Sequence, residues 1–327
     1  MTIHMFTSGL RPNNFFENPY NKNSAFHRPI GSDAVYASDT DPNTIYWKRA
    51  ATANINSTNG WGVQVVVCDP SYPPVTVTWT GSTGKASMFP VTLRLPPGWT
   101  SGKSTLDNVV VAYDPEAGVT HDFYHWEDYG PRAHIHNATP IDGLGHGPVP
   151  GGGQSWSCSA SGLWGVAGII RGFELNNPGT PIYHAHQIAL SSKTTNPTPP
   201  QLGQGVVWPS INHDGSCNTN PSVWCTGYIP YGALFALPSF INISALSLSE
   251  AGVRLATALQ DYGVYCVDNS EGPAMRADQY VNASIRTALL SDLGKIYPLM
   301  RRVLNNAKDQ TASGGGTPRS INTAFDA

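Results

Sequence analysis

The polar and apolar positions along this chain alternate at the period of a β-strand over much of its length. In "PVTVTWT" (74–80) Val and Thr exchange places at every step, the pattern of a half-buried strand. "VQVVVC" (63–68) is a continuous β-branched run and reads as a strand, as does "FPVTLRL" before the turn "PPGWTSGKS". "NVVVAYD" (108–114) and "VTHDFYHW" (119–126) flank "PEAG", which predicts a hairpin. Further strands are predicted at "GIIRGFEL" (168–175), "YHAHQIAL" (183–190) and "VYCVD" (264–268).

Helical periodicity shows in two places. Ser247 and Glu250 have capping-box spacing, and Leu248, Leu255, Leu259 and Tyr262 recur on one face before Gly263 supplies a stop. A second helix is expected over 284–306, broken near Gly294 or Pro298. Residues 1–60 are turn-rich with aromatic anchors and predict an arm wrapped around the domain. A β-sandwich domain then spans 61–282, a helical element 283–307 and a flexible tail 308–327. The Gly/Ser loop at 142–162 exceeds the usual length of a connection inside a domain, which marks it as functional or disordered. No internal repeat of fixed period is present. The expected fold class is all-β, a jelly-roll or concanavalin-like β-sandwich with one or two C-terminal helices.

Composition agrees with many short strands joined by turns. Only 13% of the 327 residues are charged, while Gly (33) and Pro (27) are abundant. The net charge of -3, with no long basic run, argues against nucleic acid as a partner. No stretch approaches the length of a membrane helix, so no membrane insertion is expected, and the first thirty residues carry no signal-peptide core. Five cysteines lack any C-x-x-C. Cys217 and Cys225 bracket a loop-like segment and are candidates for a small disulfide, while Cys68 and Cys266 sit in strand-like runs as buried thiols.

Seven of ten histidines fall between 121 and 186: His121, His125, His134, His136, His146, His184 and His186. Their H-x-x-x-H and H-x-H spacings put rings on one face of a strand, as metal ligands require. No carboxylate at a regular offset completes a metal signature, and "HDGSCNTN" (213–220) lacks the acidic spacing of a calcium loop. No nucleotide-binding or nucleophile-elbow motif occurs, so no cofactor is expected. Two chemical readings remain for the polar residues around 171–187. Arg171, Glu174, His184 and His186 form either a buried polar set or the floor of a sugar cleft, with His184 or His186 as general base. Among nine tryptophans, Trp126, Trp156, Trp164 and Trp208 are candidates for stacking on sugar rings.

Taken in order, "NPYNKN…FHRPIG", "HDFYHW", "SASGLWGVAGIIRGFEL", "PIYHAHQIAL", "YIPYGALFALP" and "ATALQDYGVYCVDNS" resemble a family of largely uncharacterised bacterial proteins. Many of these are exported, and relatives occur in phages. The resemblance covers most of 17–270 and rests on order and spacing. It implies a large jelly-roll or lectin-like sandwich in a cell-surface or carbohydrate setting, with no settled chemistry. The strand signatures of alginate lyases are not matched.

A leaderless β protein of this composition suits a phage virion, which reaches the outside by lysis. The first expectation is therefore a virion or cell-surface structural protein: a fibre, spike or decoration subunit contacting host envelope carbohydrate. It would be homo-oligomeric and associate with other virion or surface proteins, with the 284–306 helix as an attachment element. The second is a polysaccharide-degrading enzyme, lyase or glycoside hydrolase, on the same scaffold.

Overall fold

Six strands form the largest sheet, in the order β1 (Asn54–Asn56), β14 (Ala274–Arg276), β9 (His186–Ser191), β13 (Val264–Ser270), β12 (Leu234–Ala236) and β15 (Arg301–Arg302). They belong to a computed structural model that describes residues 20–49, 54–56, 62–81, 86–102, 108–128, 131–133, 135–140, 158–192 and 200–320. A second sheet has the order β2 (Val63–Val67), β5 (Val109–Asp114), β6 (Val119–Tyr124) and β8 (Ile135–Pro140). A third joins β4 (Val91–Arg94), β3 (Pro74–Trp79) and β7 (Arg132–Ala133). The short pair β10 (Leu202–Val206) and β11 (Ile229–Tyr231) stands apart from these.

Strand alternation stacks these sheets into layers. Val63 and Val65 of β2, with Val109, Val111 and Tyr113 of β5, share a core with Leu234, Ala236, Tyr265 and Val267 of the six-stranded sheet. The intervening residues Val66, Val110 and Ala112 turn the other way, onto Val77 and Leu93 of the third sheet. The opposite face of the six-stranded sheet offers Phe235, Val264, Cys266 and Ile188 to the helices. There they meet Leu255 and Leu259 of α4 (Glu250–Asp261) and Leu289, Leu293 and Ile296 of α5 (Ala283–Ile296). The fold is β-rich, with mixed sheets and few short helices. Pairs β1–β14, β9–β13, β2–β5, β3–β7 and β10–β11 are parallel. Jelly rolls are built from antiparallel strands, so these pairings depart from that topology.

Several expectations are corrected in detail. The run at 168–175 is not a strand. Ile170 makes a single bridge to Ala277, and the chain then turns into the short helix α2 (Gly172–Asn176). Two groups far away in sequence hold that turn. The Asp278 carboxylate accepts the Gly172 N–H with both oxygens at 3.0 Å, and Arg254 of α4 donates to the carbonyls of Glu174, Leu175, Asn177 and Thr180. Strand β9 begins at His186 rather than at 183. The cap of α4 is Ser249, whose hydroxyl accepts the Gly252 N–H, and Gly263 follows the helix at φ +82°. Helix α5 gives way at Pro298 to a short 3-10 turn (Tyr297–Leu299) and packs one face, Leu289, Leu293 and Ile296, against the core.

The two ends of the described chain clasp each other. Gly31 N donates to Ser313 O, Ser313 N to Pro29 O and Arg319 N to Ile30 O. Gly31 is fitted closely here, since a Cβ would stand 1.8 Å from the Gly315 carbonyl oxygen. The tail is therefore docked as far as Ser320 rather than flexible. The arm is anchored by Trp47, the last residue of α1 (Pro42–Trp47). Its ring is sandwiched between Phe235 at 3.9 Å and Tyr297 at 4.4 Å, and its Nε1 donates to the Tyr297 carbonyl at 2.9 Å. A Trp47→Ala substitution leaves a cavity and an unpaired carbonyl. It is expected to lower unfolding free energy by about 3–5 kcal/mol, measured by urea denaturation.

Candidate functional site

Helix α2 and the start of β9 bring together all four residues proposed for a sugar cleft. Arg171 Nη1 stands 3.4 Å from Glu174 Oε1. His184 Nε2 lies 3.1 Å and 3.2 Å from the two Glu174 oxygens. His184 and His186 meet edge to face, with ring centroids 4.9 Å apart. The set is sealed: Arg171 is 2% exposed, Glu174 3%, His184 1% and His186 0%.

The hydrogen bonds limit where protons reside. His184 Nδ1 faces the Ala185 carbonyl at 2.9 Å, which can only accept. Its Nε2 faces a carboxylate, so one proton lies between His184 and Glu174 as well. Burial opposes charge on Glu174, but His184 and Arg171 outweigh it and hold the carboxyl below its usual range. His186 is the contrast. Burial, with His184 and Arg171 beside it, pushes its pKa well below the ordinary histidine value, so the ring is neutral. Neither of its nitrogens makes a well-formed hydrogen bond among the described residues, and the Gly168 backbone is the one polar group that favours its charged form. Asp278 completes the neighbourhood. Burial raises its carboxyl to about 6 against the N–H groups of Gly172 and Tyr280.

The other histidine pair also meets. His121 Nδ1 is 2.9 Å from His136 Nε2, across the β6–β8 pairing. His136 Nδ1 faces the Met88 carbonyl at 3.3 Å and must donate to it. His136 Nε2 is then the acceptor, His121 Nδ1 the donor, and the bare His121 Nε2 faces Asp114 Oδ2 at 4.0 Å. Burial, then the neighbouring His121, lowers the His136 pKa to about 3. His134 and His146 lie outside the described residues. Among those described, no group of three or more His, Cys, Asp and Glu side chains is placed to hold a metal ion.

The candidate tryptophans among the described residues do not line a common groove. Trp126 is 3% exposed and packs edge-on to Phe123 and Trp99 in the core beside the third sheet. Trp164, also 3% exposed, lies between the two larger sheets, where its carbonyl accepts from Gln187. Trp208 is half-buried beneath the Arg28 guanidinium, 4.6 Å from its ring centroid. Trp156 lies outside the described residues. The exposed aromatics among the described residues are others: Phe240 at 76%, Tyr228 at 58%, Tyr280 at 45% and, at the end of β3, Trp79 at 36%. No sequence signal distinguishes the first three from core aromatics, because each sits in a turn-rich segment without periodicity.

A further buried carboxylate is Asp122, which reads from the sequence as a turn acid but lies within β6. It is 0% exposed, and its Oδ2 accepts the Gly165 N–H at 2.6 Å. Burial pushes its carboxyl up to about 7. No protein-family model, curated protein sequence or solved structure matches the chain.

Two predictions follow from these charges. Glu174→Ala leaves Arg171 and His184 without their buried counter-charge and should cost about 3–5 kcal/mol of unfolding free energy. His186→Leu removes an unpaired ring and should cost less than about 1 kcal/mol in the same denaturation assay.

The Asp122 carboxyl titrates higher when folded than unfolded, so the folded state holds the proton more tightly. Its contribution is fully present below about pH 4 and is lost as pH rises towards 7. Wild-type stability relative to Asp122→Asn should fall by up to about 1.4 kcal/mol per pH unit across that window, and then level off.

Proposed function

We propose that the chain is a structural protein of a virion or cell surface that contacts host envelope carbohydrate without cleaving it. One observation carries this choice over a polysaccharide-degrading enzyme. The four residues best suited to cleavage chemistry are 0–3% exposed; Arg171, Glu174 and His184 are bound to one another and His186 packs edge-on against His184. A general base must come within hydrogen-bond reach of its substrate, and a polysaccharide has no access to this cluster. The cluster acts instead as a polar lock that joins α2 to the start of β9.

Further features support the reading. Cys217 and Cys225 form a disulfide, the bond of oxidising surroundings such as virion and cell surfaces. Cys68, Cys158 and Cys266 are buried free thiols. No helix among the described residues is long and apolar enough to cross a membrane. Layered sheets with aromatic side chains on their connections suit a sandwich-type binding scaffold, the architecture that the family resemblance implies. The parallel pairs make it a variant rather than a regular jelly roll. Assembly into a homo-oligomer beside other surface proteins belongs to the same proposal.

The test is incubation with a panel of envelope polysaccharides, scored for retention of the protein and for new reducing ends or unsaturated sugars. Retention without new ends is expected. Cleavage that disappears in His186→Ala, with folding retained, overturns the reading in favour of the enzyme. The disulfide gives a separate check on the compartment. It closes a short loop, so Cys217→Ser with Cys225→Ser should lower unfolding free energy by about 2–3 kcal/mol, and wild-type protein in reducing buffer should match that variant.

A further inference from the structure

Two tyrosines far apart in sequence converge beside an unpaired arginine. Tyr46 of α1 and Tyr228, which precedes β11, have ring centroids 4.8 Å apart, tilted by 52°. The Arg49 guanidinium lies over the Tyr46 ring, 3.7 Å from its centroid. Arg49 is exposed, and among the described residues its guanidinium makes no ion pair or hydrogen bond. The two acids nearest along the chain are already claimed: Asp41 Oδ1 accepts from the Asn43 backbone and side-chain N–H groups at 2.8 Å, and Asp39 Oδ1 is shared by Lys48 at 2.7 Å and Arg301 at 2.6 Å. The guanidinium is thus oriented by an aromatic face, with its donors open to solvent.

Both rings are presented from fixed positions. Tyr46 is next to Trp47, which is locked between Phe235 and Tyr297. Tyr228 follows the disulfide-bonded Cys225 and is followed by the fully buried Ile229. Gly227 is pressed so close to Gln201 that a Cβ would stand 2.1 Å from its carbonyl oxygen. An aromatic ring 58% exposed on so constrained a backbone is a preorganised surface.

We propose that Tyr228, Tyr46 and Arg49 form a subsite for an acidic sugar residue of a polysaccharide. The apolar C–H face of the sugar ring stacks on the exposed Tyr228 ring, and its carboxylate takes two N–H donors from the Arg49 fork. Tyr46 holds the guanidinium in place from beneath. One exposed ring and one guanidinium make a small patch that suits a single sugar unit, whereas a stable protein interface needs roughly 800 Å² per partner. The inference rests on the carbohydrate-contact reading and specifies the class of sugar that reading left open.

The experiment is calorimetric titration of the full chain with three acidic tetrasaccharides: oligogalacturonate, hyaluronan and oligosialate. Each is paired with its carboxyl-reduced counterpart, which keeps the ring but loses the charge. At least one acidic probe is expected to bind, and its reduced form about tenfold or more weaker. Arg49→Ala and Tyr228→Ala should each weaken that probe by a similar factor, Arg49→Lys should only partly restore it, and Tyr228→Phe should stay within about twofold of wild type. These positions are exposed, and an unchanged melting temperature confirms that the variants fold. If acidic and reduced probes bind alike, or both alanine variants bind as wild type, the subsite is overturned while carbohydrate contact stands. If neither these probes nor the envelope polysaccharides are retained, both readings fall together.

Discussion

The Glu174 carboxylate is the charge around which the middle of the molecule is arranged. It lies on a helix barely more than one turn long, which has no stability of its own. Arg171 and His184 neutralise it, Asp278 takes the leading N–H of its helix, and Arg254 caps the closing carbonyls. Arg171 caps the same helix, while the other three partners come from different parts of the fold: the loop before β9, the segment after β14, and α4. A buried charge without those partners would be prohibitively costly, so the four segments are held to one relative placement. The same closure that makes the cluster an effective lock removes it from any substrate.

The pattern-driven parts of this architecture were legible in the sequence. Strict alternation at 74–80, the β-branched run at 63–68 and the hairpin around "PEAG" all became strands, because local periodicity and tertiary burial ask for the same thing there. Helix α4 and the Cys217–Cys225 bond were likewise marked by local signals. The stretch at 168–175 was misread because its conformation is set from a distance. "GII" favours a strand, but Asp278 and Arg254 impose a turn and a helix, and neither is visible from within that window. The tail after 308 looked unstructured for the same reason, since its partners are residues 29–32.

The chemistry was harder to read than the fold. Arg171, Glu174, His184 and His186 were correctly seen as neighbours, but nothing in their spacing tells a sealed cluster from an open cleft. That distinction depends on what covers them. The tryptophans show the converse. Residue size marked them for stacking, yet Trp126 and Trp164 were consumed by cores, and the exposed aromatic role passed to Tyr228. Asp122 passes for a turn acid in the sequence, because an aspartate within a strand of mixed polarity carries no sign of being at the inner face.

The clasp between the first and last described segments has a consequence for how the protein is made. Strand β1 pairs with β14, β9 with β13, and Ile30 reaches Arg319 across nearly the whole polypeptide. Contacts of such separation form slowly, because long stretches of chain must be brought together before any gain is realised. A nascent chain emerging from the ribosome therefore cannot complete its six-stranded sheet until β15 has been synthesised. During that interval the faces of β2 and β5 that pack on Leu234, Ala236, Tyr265 and Val267 stand uncovered, so a chain cut short before those residues exposes an aggregation-prone surface.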